Sequence, residues 1–195
     1  MKFDYPDGAT PIDDDELADL IPKHITLQNE LNEWEQLNIA EAIKYYDIRD
    51  LSDDDILQLD FIFELHNRMF NNTWKWSGKP RRTVKNFGVD VSLIYEMTKN
   101  LCDDVKYWIQ NSTFPIDEIC TRFHHRLVFI HIFPNGNGRH SRLAADLLLK
   151  SLNQKMFTWG SANLYNKGEA RTRYISALKD ADKDNYSALL LFVRS

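Results

Sequence analysis

Residues His131–Arg142 read HIFPNGNGRHSR, with a histidine at the head, glycines at 136 and 138, and arginines at 139 and 142. Strongly apolar segments flank this stretch. Helical periodicity makes the one before it, starting near Pro115, a helix with Ile116, Ile119, Phe123, Leu127 and Ile130 inward. The one after it, from Gly138 to Asn153, is a helix with Leu143, Leu147 and Leu148 inward. His131 then ends the first helix, and Pro134, Gly136 and Gly138 turn the chain before the second. Amides around Gly136–Arg139 open a helix without intrahelical partners, a natural seat for anions and for phosphates above all. The glycines let such a ligand approach the backbone closely. Arg139 and Arg142 lie on one helix face and can grip the same anion. A histidine at the rim, with an ordinary pKa of about 6.5, can take a proton from a hydroxyl at neutral pH. The stretch therefore reads as a phosphate cradle with two guanidinium clamps and a candidate base, His131. It is not a Walker A loop, because no GxxxxGK[ST] pattern occurs in the chain.

Outward from this stretch, helical signals dominate. Leu27, Leu31, Trp34, Leu37 and Ile39 to Ile43 give a helix from Thr26 onward. Ser52 caps another, whose stripe runs through Ile56, Leu59, Phe63 and Met69. Leu93–Trp108, Tyr174–Ala181 and Tyr186–Val193 add three more. The exception is WSGKPRRTVKNFGVDV, Trp76–Val91. Its glycines and proline argue against a helix, and Thr83, Val84, Phe87, Val89 and Val91 suit a two-stranded hairpin, with a plain connecting loop as the alternative.

The whole chain sets bounds. Its 195 residues, 43% hydrophobic and 27% charged, suffice for one well-buried domain, and no repeat or linker marks a second. With 29 acidic and 24 basic residues the net charge is -5, which disfavours direct nucleic-acid binding. Cys102 and Cys120 have no metal-type spacing and read as buried apolar residues. No run reaches the ~20 apolar residues of a membrane span, and the acidic, proline-broken start does not resemble a signal peptide. A cytoplasmic protein is expected. His24, His66, His124, His125 and His140 are expected to be ordinary hydrogen-bonding residues.

The stretch resembles the Fic-domain signature HPFx[DE]GNGRxxR, matched by His131, Phe133, Gly136, Asn137, Gly138, Arg139 and Arg142. LHNRMFNNTWKWSGKPR and RYISALKDADKDNYSALLLF look like further Fic segments. With GATPIDDDELADLIPKHIT and LNEWEQLNI, the chain is similar to the small Fic proteins called mobile mystery protein B. The resemblance implies a single Fic domain over residues 1–195: a mostly α-helical bundle with a β-hairpin flap at 76–91 and the active-site motif at 131–142. It also implies protein adenylylation, the transfer of AMP from ATP to a Tyr, Ser or Thr hydroxyl of a target protein. His131 would be the general base. Asn137 and the loop amides at Gly136 and Gly138 would hold phosphate oxygens, Arg139 and Arg142 the β- and γ-phosphates. Phe133 would anchor the loop, and the flap would pair with target backbone. Two positions depart from the signature. Ile132 replaces proline, and Asn135 replaces the usual acidic Mg²⁺ ligand, leaving a neutral amide as a weaker metal contact. Alternatives on the same scaffold are transfer of another nucleotide or of phosphate alone, or a nucleotide-binding module with little activity.

Many Fic proteins also carry an inhibitory helix with the pattern [ST]xxxE[GN], whose glutamate pairs with the second motif arginine. TLQNELN, Thr26–Asn32, resembles it, although Leu31 stands where glycine or asparagine is usual. Within a candidate inhibitory helix at 26–45, Glu30 with Thr26 is therefore the expected brake on Arg142, with Glu33 and Glu35 as weaker candidates. Control by a separate antitoxin-like regulator, and assembly as a homo-oligomer, are left open.

Overall fold

A computed structural model describes residues 10–161, 164 and 168–195. Among these, the helices are α1 (Asp14–Leu17), α2 (Gln28–Asp47), α3 (Asp53–Ile56), α4 (Leu59–Phe70), α5 (Ile94–Gln110), α6 (Ile116–Ile130), α7 (Asn137–Ser151), α8 (Glu169–Ala181) and α9 (Ser187–Val193). The chain is mostly helical, as expected. α6 and α7 form the central pair, α5 lies against α6, α2 against α4, and α8 against α9. Ile119, Phe123, Leu127 and Ile130 of α6 are buried with Ala144, Leu147 and Leu148 of α7. Fully burying each of the larger side chains is worth about 1.5–3 kcal/mol, so this pair fixes the loop between its helices on a rigid base. No helix among the described residues is long and apolar enough to cross a membrane.

Local chemistry explains the helix boundaries. Pro115 stands as the N-cap of α6, with Asp117 and Glu118 in the first turn near the positive end of the helix dipole. Ser52 accepts the Asp55 amide through its hydroxyl at 3.1 Å, and the Asp55 carboxylate accepts the Ser52 amide at 3.0 Å. The stripe expected to continue from this cap as one helix is broken in two, because Leu57 leaves helical geometry at φ -88°, ψ 37°.

The hairpin expected over 76–91 is not formed. The segment contains no strand; the isolated bridge among the described residues joins Leu20 to Trp74 instead. The flap is organised around one buried side chain, Arg81, which is 2% exposed. Its Nε donates to the His131 carbonyl at 2.7 Å and its Nη1 to the Thr83 carbonyl at 3.0 Å, while Nη2 donates to the Val89 carbonyl. The carbonyls of Thr83 and Val89 thus serve a guanidinium rather than a partner strand.

Candidate active site

The turn between α6 and α7 is built in three steps. α6 ends in the left-handed conformation at His131, φ 55°, ψ 62°. The Asn137 side chain then staples the loop from inside: its Oδ1 accepts the Phe133 amide at 2.9 Å and its Nδ2 donates to the Phe133 carbonyl at 2.8 Å. Finally Gly136, at φ 80°, opens α7; a Cβ there would lie 2.7 Å from two atoms of the Phe70 ring. Phe133 is fully buried and stacks on His66 with ring centroids 3.7 Å apart.

His66 is a site residue with no signal of its own in the motif. Its Nδ1 accepts the Gly78 amide at 3.0 Å, so Nε2 carries the proton that it donates to the Asn135 carbonyl at 3.1 Å. It thereby ties the flap's start to the loop. Burial, with the neighbouring His140 and Arg139 adding to it, holds His66 well below the usual histidine range. His66, His124, His125 and His140 are all buried hydrogen-bonding residues, as expected of them. The buried thiols of Cys102 and Cys120 are likewise pushed up, Cys102 to about 11.

His131 is 3% exposed. Its Nε2 lies 3.1 Å from the Thr10 hydroxyl oxygen, while Nδ1 has no hydrogen-bond partner among the described residues. Phe87 of the flap meets the imidazole edge to face at 4.3 Å. Burial first, then the charges of Arg81 and Lys85, lower its pKa to about 3. A neutral imidazole beside a hydroxyl has the form of a general base and its proton donor.

The motif arginines diverge. The Arg139 guanidinium turns toward α2, where its Nη1 donates to Glu35 Oε2 at 2.6 Å. Trp74 Nε1 donates to the other Glu35 oxygen at 2.8 Å, and the glutamate is 4% exposed. Arg142 turns toward α8, 5.7 Å above the Tyr174 ring. Its Nη1 lies 3.8 Å from where a Gly138 Cβ would be, so this guanidinium borders the first turn of α7. The Tyr174 hydroxyl in turn lies 3.1 Å from His124 Nε2.

Three expected roles are corrected by this geometry. Glu30 does not reach Arg142. Its Oε2 accepts the amides of Thr26 and Leu27, each at 3.1 Å, and those bonds hold its pKa below the usual carboxylate value at the start of α2. Glu35 is the carboxylate on a motif arginine, and that arginine is Arg139. Asn137 and the Gly136 amide are not open to phosphate. Asn137 staples Phe133, and Gly136 N–H donates to Asn135 Oδ1 at 2.6 Å. The first-turn amides of α7, Gly138 among them, still lack intrahelical acceptors.

Asn135 does not fit a divalent cation. Its Oδ1 also accepts Arg139 Nη2 at 3.3 Å, and its Nδ2 donates to the Thr10 carbonyl at 2.9 Å. The amide oxygen is thus engaged by two N–H donors, and among the described residues no cluster of metal-binding side chains adjoins it.

Glu35, a weaker candidate in the sequence, is singled out by periodicity. It sits one helical turn from Leu31 and from Ile39, on the face that α2 buries with Asn38 and Ala42. A carboxylate on that stripe demands a partner. Thr10 carried no such signal.

Residues 56–149 match the family model described as the Fic/DOC family. The protein adenylyltransferase fic-1 of Caenorhabditis elegans is 26% identical over 168 residues, covering 78% of this chain and 33% of the relative. The chain thus spans about a third of the length of that curated relative. The N-terminal FIC domain of the VirB-translocated effector Bep8 from Bartonella sp. 1-1C superposes with a TM-score of 0.71 at 15% identity, covering 89% of each chain. BepC from Bartonella tribocorum, solved with bound AMPPNP, superposes with a TM-score of 0.68 at 15% identity, again covering 89% of each chain. These structural likenesses speak for the fold. The matched residues contain the whole His131–Arg142 turn together with α4, α5 and α6, so it is this part of the chain that resembles the Fic/DOC family.

Proposed function

We propose that the chain forms a single Fic domain, residues 1–195, that transfers AMP from ATP to a hydroxyl side chain of a protein. One observation carries this reading: a buried neutral histidine with a hydroxyl at its Nε2 stands at the head of the loop that opens α7, whose first turn Arg142 borders. In the reaction, His131 Nε2 takes the proton of the acceptor hydroxyl as that oxygen attacks the α-phosphorus. The bond from the α-phosphorus to the α,β-bridging oxygen breaks and pyrophosphate leaves. The first-turn amides of α7 and the guanidinium of Arg142 face the charge that develops on the phosphates, and Arg139 joins them once it leaves Glu35. No step is assigned to Mg²⁺ on the protein's own residues. An ATP-dependent reaction of this kind fits a cytoplasmic setting.

The AMPPNP in the BepC structure and the adenylyltransferase name of the Caenorhabditis relative support ATP as the donor. Glu35 on Arg139 supports an internal brake over a separate antitoxin-like regulator. Incubation with ATP labelled separately at its α- and γ-phosphates tests the reading. Incorporated α label, lost in His131→Ala while ATP still binds, is the expected result. Incorporated γ label would instead assign phosphate transfer, and no incorporation would leave a nucleotide-binding module.

A further inference from the structure

The segment around α1 is held against the flap. Lys85 of the flap, its side chain 3% exposed, donates to Asp13 Oδ2 and Glu16 Oε2, each at 2.7 Å. Thr83 Oγ1 donates to the same Asp13 oxygen at 3.3 Å, and Trp76 Nε1 donates to the Glu16 carbonyl at 3.2 Å. Three residues of the flap therefore hold Asp13 and Glu16. Just upstream, Thr10 is drawn onto the loop itself. Its carbonyl accepts Asn135 Nδ2 at 2.9 Å, its hydroxyl meets His131 Nε2 at 3.1 Å, and the residue is 6% exposed. An anchoring site for the backbone and a base at the hydroxyl are what an acceptor residue requires.

We infer that Thr10 is an intramolecular acceptor, a modification site at which the chain adenylylates itself. The inference rests on the adenylyl-transfer reading above. With Nε2 unprotonated, the Thr10 hydroxyl donates to it and passes over its proton as Oγ1 bonds to the α-phosphorus of ATP. The bond from the α-phosphorus to the bridging oxygen breaks, pyrophosphate departs with the electron pair, and O-adenylyl-threonine remains. No oxidant or further reactant is needed. Because the acceptor is tethered in place, the reaction proceeds within one chain, ahead of any encounter with another protein.

The test uses the full chain and its Glu35→Gln variant with α-labelled ATP, followed by peptide mapping, over a range of protein concentrations. In parallel, both are added to a cell lysate with an ATP analogue tagged on adenine. The expected result is AMP on Thr10, formed with a rate constant independent of protein concentration. The label should be lost in Thr10→Ala and kept in Thr10→Ser, and a tagged His131→Ala chain mixed into the reaction should stay unlabelled. Labelled lysate proteins with an unmodified Thr10 would overturn the inference while leaving adenylyl transfer standing. So would self-labelling that persists in Thr10→Ala or scales with protein concentration. Failure to label either Thr10 or any lysate protein would remove the adenylyl-transfer reading and this inference together.

Discussion

Glu35 and Arg139 meet at 2.6 Å between α2 and α7, with Trp74 fixing the carboxylate from its other side. The pair spends a motif arginine on the protein's own helix. Glu35→Gln removes the charge while keeping an amide for Trp74, so Arg139 is released to bind phosphate. AMP transfer should rise about 10- to 100-fold and ATP should bind more tightly. Arg139→Ala in the same chain should cancel the gain. Unchanged transfer in Glu35→Gln would mean that the pair is structural.

Glu30 supplies the contrast. Its carboxylate caps the helix on which Glu35 rides, so Glu30→Ala should lower the melting temperature slightly and leave transfer at the wild-type rate. A gain in transfer comparable to that of Glu35→Gln would return the brake to this position.

His131 makes stability and chemistry depend on pH in a defined direction. With its pKa lowered to about 3 in the fold, it resists a proton that the unfolded chain binds below about 6.5. Its contribution is therefore intact above about pH 6.5 and is lost as pH falls toward 3, at about 1.4 kcal/mol per pH unit. Urea unfolding of wild type and His131→Ala at about pH 7 and about pH 5 should show wild type losing more stability on acidification. Equal losses would place His131 in water. Self-labelling should likewise hold its rate well below the ordinary histidine titration.

Gly136 tolerates no side chain. Alanine there would combine a positive φ with a Cβ pressed against the fully buried Phe70 ring, a strain of about 1–3 kcal/mol before the clash is counted. Gly136→Ala should lose ATP binding in calorimetry and lower the melting temperature. Normal nucleotide affinity in that variant would show that the turn is not the phosphate seat.

Most helices were legible because apolar periodicity and end signals agree. The start of α6 at Pro115 and the cap of α3 at Ser52 follow from single residues. The split between α3 and α4 was hidden, because the apolar stripe continues across Leu57 and Gln58 while the backbone does not. The flap misled for a related reason. Its β-branched residues suit extended segments, but a distant His131 carbonyl and its own Thr83 and Val89 carbonyls gather on Arg81. The loop of the candidate site was visible as a motif, whereas its surroundings came from contacts across the chain. Thr10 lies 121 residues from His131, and no local pattern announces a partner at that distance.

A flap held by two buried cations, Arg81 and Lys85, rather than by a ladder has a particular dynamic character. Its opening releases the carbonyls of Thr83, Val89 and His131 together with the Lys85 contacts to Asp13 and Glu16, and none of these bonds belongs to the central pair of α6 and α7. In hydrogen exchange the amides of 82–90 should trade with solvent far faster than those of α6, and Arg81→Lys should quicken them further without lowering global stability to the same degree. Whether a foreign chain gains entry is then governed by how long two buried cations, Arg81 and Lys85, keep their grip.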